Sequence, residues 1–340
     1  MKTVVTFGEL MLKLSPPGYG RFVQSCQFNA GYSGAEANVS VSLSNFGIPT
    51  RFVTALPTHE LGDAAVNALR QFGVDTSFII RNDNRLGIYF AEKGVSQRPS
   101  KVIYDRSDTA IACTKPTDFN WDAIFDDVEW FHFTGITPAL SETLASICLE
   151  ACRVAKAKGI TISCDLNYRK KLWSRERANE VMTELCRYVD VCFANESDAR
   201  DIFGIIASEI DVEKGLIDKV SYATVAKQLA KRFDFQAVCI TLRESITTSD
   251  NNWSAIMYEN GVTCFSKKYP IHIVDRIGGG DSFAAGIIYG RLNHFEAQYT
   301  LDFAVAASCL KQTIEGDFNL ITAVEVEELL NSNGTGRIQR

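Results

Sequence analysis

Short apolar runs alternate with longer stretches of helical periodicity along most of the chain. Residues 4–7 read as a buried strand closing at Gly8, and residues 38–46 as a helix followed by Gly47. Residues 51–55 read as the next strand, and 62–72 as a helix followed by Gly73. The alternation returns with strands predicted at 130–133, 161–165, 191–194 and 237–241, and helices at 141–158, 175–188 and 222–232. Apolar strands separated by amphipathic helices predict an α/β fold with a mostly parallel sheet covered on both faces.

Two stretches break that rhythm. Residues 13–31 are rich in Pro, Gly and polar side chains. Residues 86–104 alternate as strands do, turning near Lys93-Gly94, with no helix between. Together they predict a small β lid, residues 13–31 and 86–106. The main α/β domain is then 1–12, 32–85 and 107–330, and 331–340 is a tail. A flap over the end of a parallel sheet is a natural lid; an edge hairpin without a role is the alternative.

Composition narrows the class. Lys plus Arg number 35 against 41 Asp plus Glu, a net charge of -6 with no basic cluster, which argues against a nucleic-acid partner. No run reaches the roughly 18 apolar residues of a membrane span. The 10 cysteines include no Cys-x-x-Cys pair, and the amino terminus reads as a strand rather than a leader, so reduced thiols and a cytoplasmic location are expected.

The strongest chemical signal is Asp275-Arg276-Ile277-Gly278-Gly279-Gly280-Asp281, directly before a predicted helix. A helix start offers unpaired N–H groups and the positive end of its dipole, and glycines let the backbone approach an anion. Gly278, Gly279 and Gly280 can therefore cradle a phosphoryl group, while Asp281 takes a proton from an attacking hydroxyl. Phosphoryl transfer needs mainly positioning, a base and charge neutralisation. For this segment alone, a glycine turn whose Asp caps the helix is the competing reading. A P-loop, a dinucleotide fingerprint and the protein-kinase motif set are all absent, and His59, His132, His272 and His294 are scattered. A second segment, Gly31-Tyr32-Ser33-Gly34-Ala35-Glu36-Ala37-Asn38, places two glycines and an amide at another helix start, which suits a polyol.

In this order, near the two ends of the chain, the two segments resemble the signature regions of the ribokinase-like (PfkB) carbohydrate kinases, and most closely the 2-keto-3-deoxygluconate kinases. Supporting segments are Gly87-Ile-Tyr89-Phe, Tyr104-Asp-Arg106, Gly135-Ile136-Thr-Pro and Asp165-Leu-Asn167-Tyr-Arg169. The resemblance implies a three-layer α/β/α domain with a β lid, ATP and Mg²⁺ as cosubstrate and cofactor, and a sugar acid as acceptor. It implies sugar contacts from Gly34, Asn38, Tyr89, Tyr104, Arg106, Ile136, Arg169 and Asp317. Contacts to ATP would come from Asn167, Arg169, Asn195, Thr241, Gly278 and Gly280. Asp198 would meet Mg²⁺ through water, and a monovalent cation such as K⁺ would sit near Asp275. A homodimer or larger homo-oligomer would pair through the lid. Independently, two arginines suit a carboxylate-bearing sugar.

Three features depart from the family pattern. The glycine turn expected after the late strand is replaced by Thr241-Leu-Arg243-Glu-Ser245, leaving the nucleotide pocket open to question. Asn195-Glu196-Ser197-Asp198 ends in Asp where the family has Glu, and Ile277 replaces Thr, Val or Pro. Residues 204–220 read as a surface insertion. A kinase for a neutral sugar such as fructose or ribose, and a sugar-binding protein that has lost ATP use, are the rival readings.

Overall fold

The computed structural model describes residues 3–195, 197–206 and 219–331. Glu196, most of the expected 204–220 insertion and nearly all of the tail lie outside the described residues. The strands, in chain order, are β1 (Thr3–Phe7), β2 (Met11–Ser15), β3 (Asn29–Ser33), β4 (Thr50–Val53), β5 (Ala55–Pro57), β6 (Ile80–Asn82), β7 (Gly87–Glu92) and β8 (Lys101–Asp105). There follow β9 (Val128–Thr134), β10 (Thr161–Asp165), β11 (Val191–Ala194), β12 (Ala237–Ser245), β13 (Asp250–Glu259), β14 (Val262–Phe265) and β15 (Tyr269–His272).

The main sheet runs β14-β13-β12-β11-β10-β9-β1-β4, with β15 also on β13. From β4 to β12 every pairing is parallel; β13 to β15 add antiparallel strands at one edge. Alternate residues of each strand feed opposite hydrophobic cores, as a period of two requires. Val5, Phe131, Ile162, Val238 and Ile240 pack with the helices Glu142–Ala157, Arg175–Leu185 and Lys219–Phe233. Val4, Trp130, Phe193, Ala237 and Cys239 pack with Ala35–Asn45, Gly279–Leu292 and Ala297–Lys311. The result is the expected ribokinase-like three-layer α/β/α arrangement.

One strand outruns its sequence signal. The pattern ends β12 at Thr241, yet the chain continues extended to Ser245 and folds back as β13. Leu242 is fully buried, and Arg243 lies across from Trp253 in the register, its guanidinium 5.2 Å from the indole centroid. Those cross-strand partners come from β13, so no local pattern reveals them.

The small sheet has the order β3-β2-β7-β8. Its strand β2 follows β1 after only Gly8, Glu9 and Leu10, which anchors it at the carboxyl end of the main sheet. On its inner face Met11, Tyr89 and Ala91 are buried, with Val102 and Ile277 packed against them. Ile277, an oddity in sequence, thus joins the small sheet to the glycine-rich segment. Among the described residues no helix is long and apolar enough to cross a membrane.

Candidate active site

The chain runs from β1 to β4 on one side and to β9 on the other, so β1 marks a switch point of the sheet. Open α/β sheets bind ligands at the carboxyl ends of strands beside such points. A cavity of about 400 Å³ lies there. Strand ends deliver Glu9 after β1, Ile136 after β9, Asn167 and Arg169 after β10, Asn195 after β11, and Thr241 and Arg243 on β12. The small sheet adds Met11, Tyr89, Val102 and Tyr104, and helix starts add Gly34, Asn38, Gly278, Gly280 and Asp281.

Gly278 opens the Gly279–Leu292 helix in a left-handed conformation, φ +85°, and no side chain caps that helix. A Cβ at Gly278 would lie 2.1 Å from the Asp317 carbonyl oxygen, so the turn requires glycine. The Gly279 N–H donates to Arg276 O at 3.3 Å, which leaves the N–H groups of Gly280 and Asp281 available to an anion. Asp281 sits in this first turn, and its Oδ2 accepts a 2.7 Å hydrogen bond from Asn38 Nδ2. Burial pushes the Asp281 carboxyl up to about 7, the Asn38 bond and Arg169 opposing and Glu36 adding to the rise. A carboxylate poised there can accept a hydroxyl proton near neutral pH.

Asn38 is itself fixed from below. Its helix begins after Gly34, where a Cβ would come within 1.9 Å of the Glu9 carbonyl oxygen. The buried Glu36 accepts hydrogen bonds from Thr134 N, Thr134 Oγ1 and Thr137 Oγ1, tying this helix to the end of β9. Asn167 adopts φ +40°, unusual for a residue with a side chain, at a turn where its N–H reaches Asp165 Oδ1 at 3.0 Å.

Cationic groups cluster in the same cavity. Arg106 pairs with Glu9 and lies 5.2 Å over the Tyr104 ring, which stacks on Tyr89. The Nε donors of Arg106 and Arg243 are buried without a partner among the described residues, a cost that a bound anion would relieve. Arg169, Arg243 and Arg276 make no close ion pair among the described residues, although the Arg169 charge acts on the carboxyls of Asp165, Asp198 and Asp281. Arg169 donates to Tyr168 O and Arg276 to Thr248 O, while burial and the nearby Arg243 push the Arg276 guanidinium down.

Of the residues proposed from sequence, Gly34, Asn38, Tyr89, Tyr104, Arg106, Ile136, Asn167, Arg169, Asn195, Thr241, Gly278, Gly280 and Asp281 line this one cavity. Four do not. Gly279 faces inward, where a Cβ would meet Gln312 at 3.1 Å. Asp317 is buried behind Tyr89, accepting hydrogen bonds from Tyr89 Oη and Lys13 Nζ, and does not reach the cavity wall itself. Asp198 is buried beside the cavity, its oxygens accepting the N–H groups of Tyr168 and Asn195. The place beside Asp275 does not fit a monovalent cation, because lysines fill it. Lys13 Nζ lies 3.3 Å from the Asp275 carboxylate, and Lys311 Nζ donates to its carbonyl oxygen.

Glu9, Arg243, Trp253 and Arg276 line the cavity but escaped the sequence reading. A signal existed for two of them: Glu9 directly follows the first strand end, and Arg276 lies inside the glycine-rich segment. Arg243 and Trp253 depend on the unforeseen β12–β13 pairing.

The comparisons with known proteins agree with this arrangement. The family model described as pfkB family carbohydrate kinase matches residues 1–321. The 2-dehydro-3-deoxygalactonokinase of Haloferax volcanii is 34% identical over 333 residues, covering 98% of each chain. The 2-dehydro-3-deoxygluconokinase of Bacillus subtilis is 26% identical over 339 residues, covering 97% of this chain and 96% of its own. A crystal structure of 2-dehydro-3-deoxygluconokinase from Thermotoga maritima is 49% identical, with a TM-score of 0.94, covering 97% of this chain and 98% of that one.

Proposed function

The chain belongs to the pfkB family of carbohydrate kinases, and from that premise we propose that it moves the γ-phosphoryl of ATP to the terminal hydroxyl of a 2-keto-3-deoxy sugar acid. The gluconate acid is the first candidate and its C4 epimer, the galactonate acid, the second, since relatives named for each resemble this chain. The observation that carries the reading is Asp281, held by Asn38 at an uncapped glycine helix start, in one cavity with Arg169, Arg243 and Arg276, none of which makes a close ion pair among the described residues.

The strand order divides the labour. Glu9, Gly34, Asn38, Tyr89, Tyr104 and Arg106 gather on the β1 side beneath the small sheet, where the sugar acid would lie. Asn195, Thr241, Arg243 and Arg276 gather toward β11 to β13, where ATP would lie. Asn167 and Arg169, after β10, fall between, beside the phosphates and the sugar carboxylate. Asp281 takes the proton of the terminal hydroxyl as its oxygen attacks the γ-phosphorus. The bond to the ADP oxygen breaks, and the N–H groups of Gly280 and Asp281 receive the charge of the transferring group. The small sheet acts as a lid that excludes water competing for the phosphoryl group.

Mg²⁺ would be held mainly by the ATP phosphates, with Asp198 reaching it through water, and would neutralise phosphate charge. The donor chemistry fits, since Asp198 is a carboxylate held in place by the N–H groups of Tyr168 and Asn195, and a hydrated magnesium ion is met by oxygen. The connection between β2 and β3 exposes Tyr19, Val23 and Phe28, and β8 exposes Ile103, an apolar set suited to pairing with a second copy, which sedimentation would read directly.

One observation favours a neutral sugar instead: Glu9 already pairs with Arg106, which halves the free positive charge on the sugar side. Turnover with ATP across a panel of sugar acids and neutral sugars, for the wild type and Arg169→Ala, separates the readings. The acid reading expects KM for the acid to rise about tenfold or more in the variant, the scale of a lost charged hydrogen bond. A preference for fructose or ribose that Arg169→Ala leaves untouched would defeat it.

A further inference from the structure

The lysines beside Asp275 have no role in the phosphoryl transfer described above. Lys311 is the last residue of the Ala297–Lys311 helix and is fully buried. Its ammonium donates to Gly316 O at 2.7 Å and to Asp275 O at 3.2 Å. Two backbone carbonyls from separate turns thus converge on one buried cation. The same side chain backs the glycine-rich start, for a Cβ on Gly278 would lie 3.2 Å from Lys311 Cε. Lys13 supplies a second buried ammonium, set between the carboxylates of Asp275 and Asp317. Two cations then face two carboxylates, and the cluster is balanced without an ion from solution. A buried carbonyl pair lacking a donor is costly, and a dehydrated monovalent ion and an ε-ammonium are chemically equivalent ways to satisfy it.

We propose that Lys311 is a built-in substitute for a monovalent cation, a positioning residue that fixes the 275–278 and 316–317 turns behind the anion-binding helix start and makes the protein indifferent to K⁺. The catalytic half of this inference rests on the kinase reading; the ion-binding half does not. The direct test compares wild type and Lys311→Ala in choline chloride, KCl and NH₄Cl, each at about 0.1 M so that screening is matched. Wild-type turnover stays within about twofold across the three salts. In Lys311→Ala, kcat falls about tenfold in choline, sugar-acid KM changes less than about twofold, and K⁺ or NH₄⁺ restores about half of the lost rate. Melting gives a readout free of activity: K⁺ raises Tm of the variant by about 2 °C over choline and leaves the wild type unmoved.

Wild-type activation by K⁺ of tenfold overturns the inference, and so does an impaired Lys311→Ala that ignores K⁺ and NH₄⁺ in both rate and Tm. Should that variant fail to fold, the wild type decides alone: a K⁺-specific rise in its Tm refutes the substitution, and equal melting in all three salts upholds it. If no sugar turns over at all, the melting arms still report the cation seat, so failure of the kinase reading and failure of this inference remain distinguishable.

Discussion

Replacing Asp281 by Asn tests the base and the energetics of its placement together. The substitution keeps an oxygen that can accept the Asn38 Nδ2 hydrogen bond and removes only the ability to ionise. Loss of a general base costs about 10² or more in kcat, with sugar-acid KM nearly unchanged. Stability moves the other way. Asp281 titrates near 7 in the folded chain, raised from an ordinary 3.8 chiefly by burial. The native state therefore binds more protons than the unfolded chain between those values, so Asp281 makes stability fall as pH climbs through that window. The full difference corresponds to at most about 4 kcal/mol above pH 7, and water entering the cleft reduces it to about 1–2 kcal/mol. Asn escapes that penalty. Asp281→Asn should thus melt about 1.5–3 °C above wild type at pH 8, with the gain shrinking steadily toward pH 5. Calorimetry at the two pH values and steady-state kinetics measure both effects. A variant that keeps more than a tenth of wild-type kcat, or a stability gain that does not depend on pH, would refute the reasoning.

Wild-type kcat/KM should rise on the acid side with an apparent pKa near 7 as Asp281 loses its proton, and a rate flat from pH 5.5 to 8 would count against it as base. Arg243→Ala and Arg276→Ala should each raise KM for ATP about tenfold and leave sugar-acid KM within about twofold, because both line the β12–β13 side of the cavity. Lys13→Met should lower stability by about 3–5 kcal/mol, since it strands the buried carboxylates of Asp275 and Asp317 without their shared cation; urea unfolding reads this.

What sequence could reveal depended on whether the determining contacts were local. The strands at 4–7 and 191–194 declared themselves because each carries apolar residues on both faces, as a parallel sheet covered by helices demands, while at 161–165 only Ile162 and Cys164 are apolar. The glycine-rich segment and Asp281 were equally legible, since a helix start carries its chemistry in consecutive residues. Contacts made across the fold left no such trace. Lys13 reads as a polar residue in a lid segment, yet it bonds Asp275 and Asp317 near the far end of the chain. Lys311 does carry a faint signal, as a lysine closing a helix whose last turns, residues 303–310, are apolar but for Ser308, but only the fold shows which carbonyls it meets.

The segment after Thr241 shows why a departure from a family pattern need not mean a lost function. Read alone, the missing glycine turn weakens the case for a nucleotide pocket, because glycine is how a backbone yields room to a ligand. In the fold the chain does not turn there at all. β12 runs on to Ser245, and the place of the turn is taken by a cross-strand pair, Arg243 against Trp253. A guanidinium with an unpartnered buried Nε now lines the cavity, near Arg276. A flexible backbone cradle has been exchanged for a fixed cation backed by an aromatic ring. The same exchange of mobile for built-in charge appears behind Gly278, where lysines stand in the seat assigned to a dissolved ion. Both substitutions push in one direction, toward an anion site whose positive charge is supplied by the chain itself before any ligand arrives.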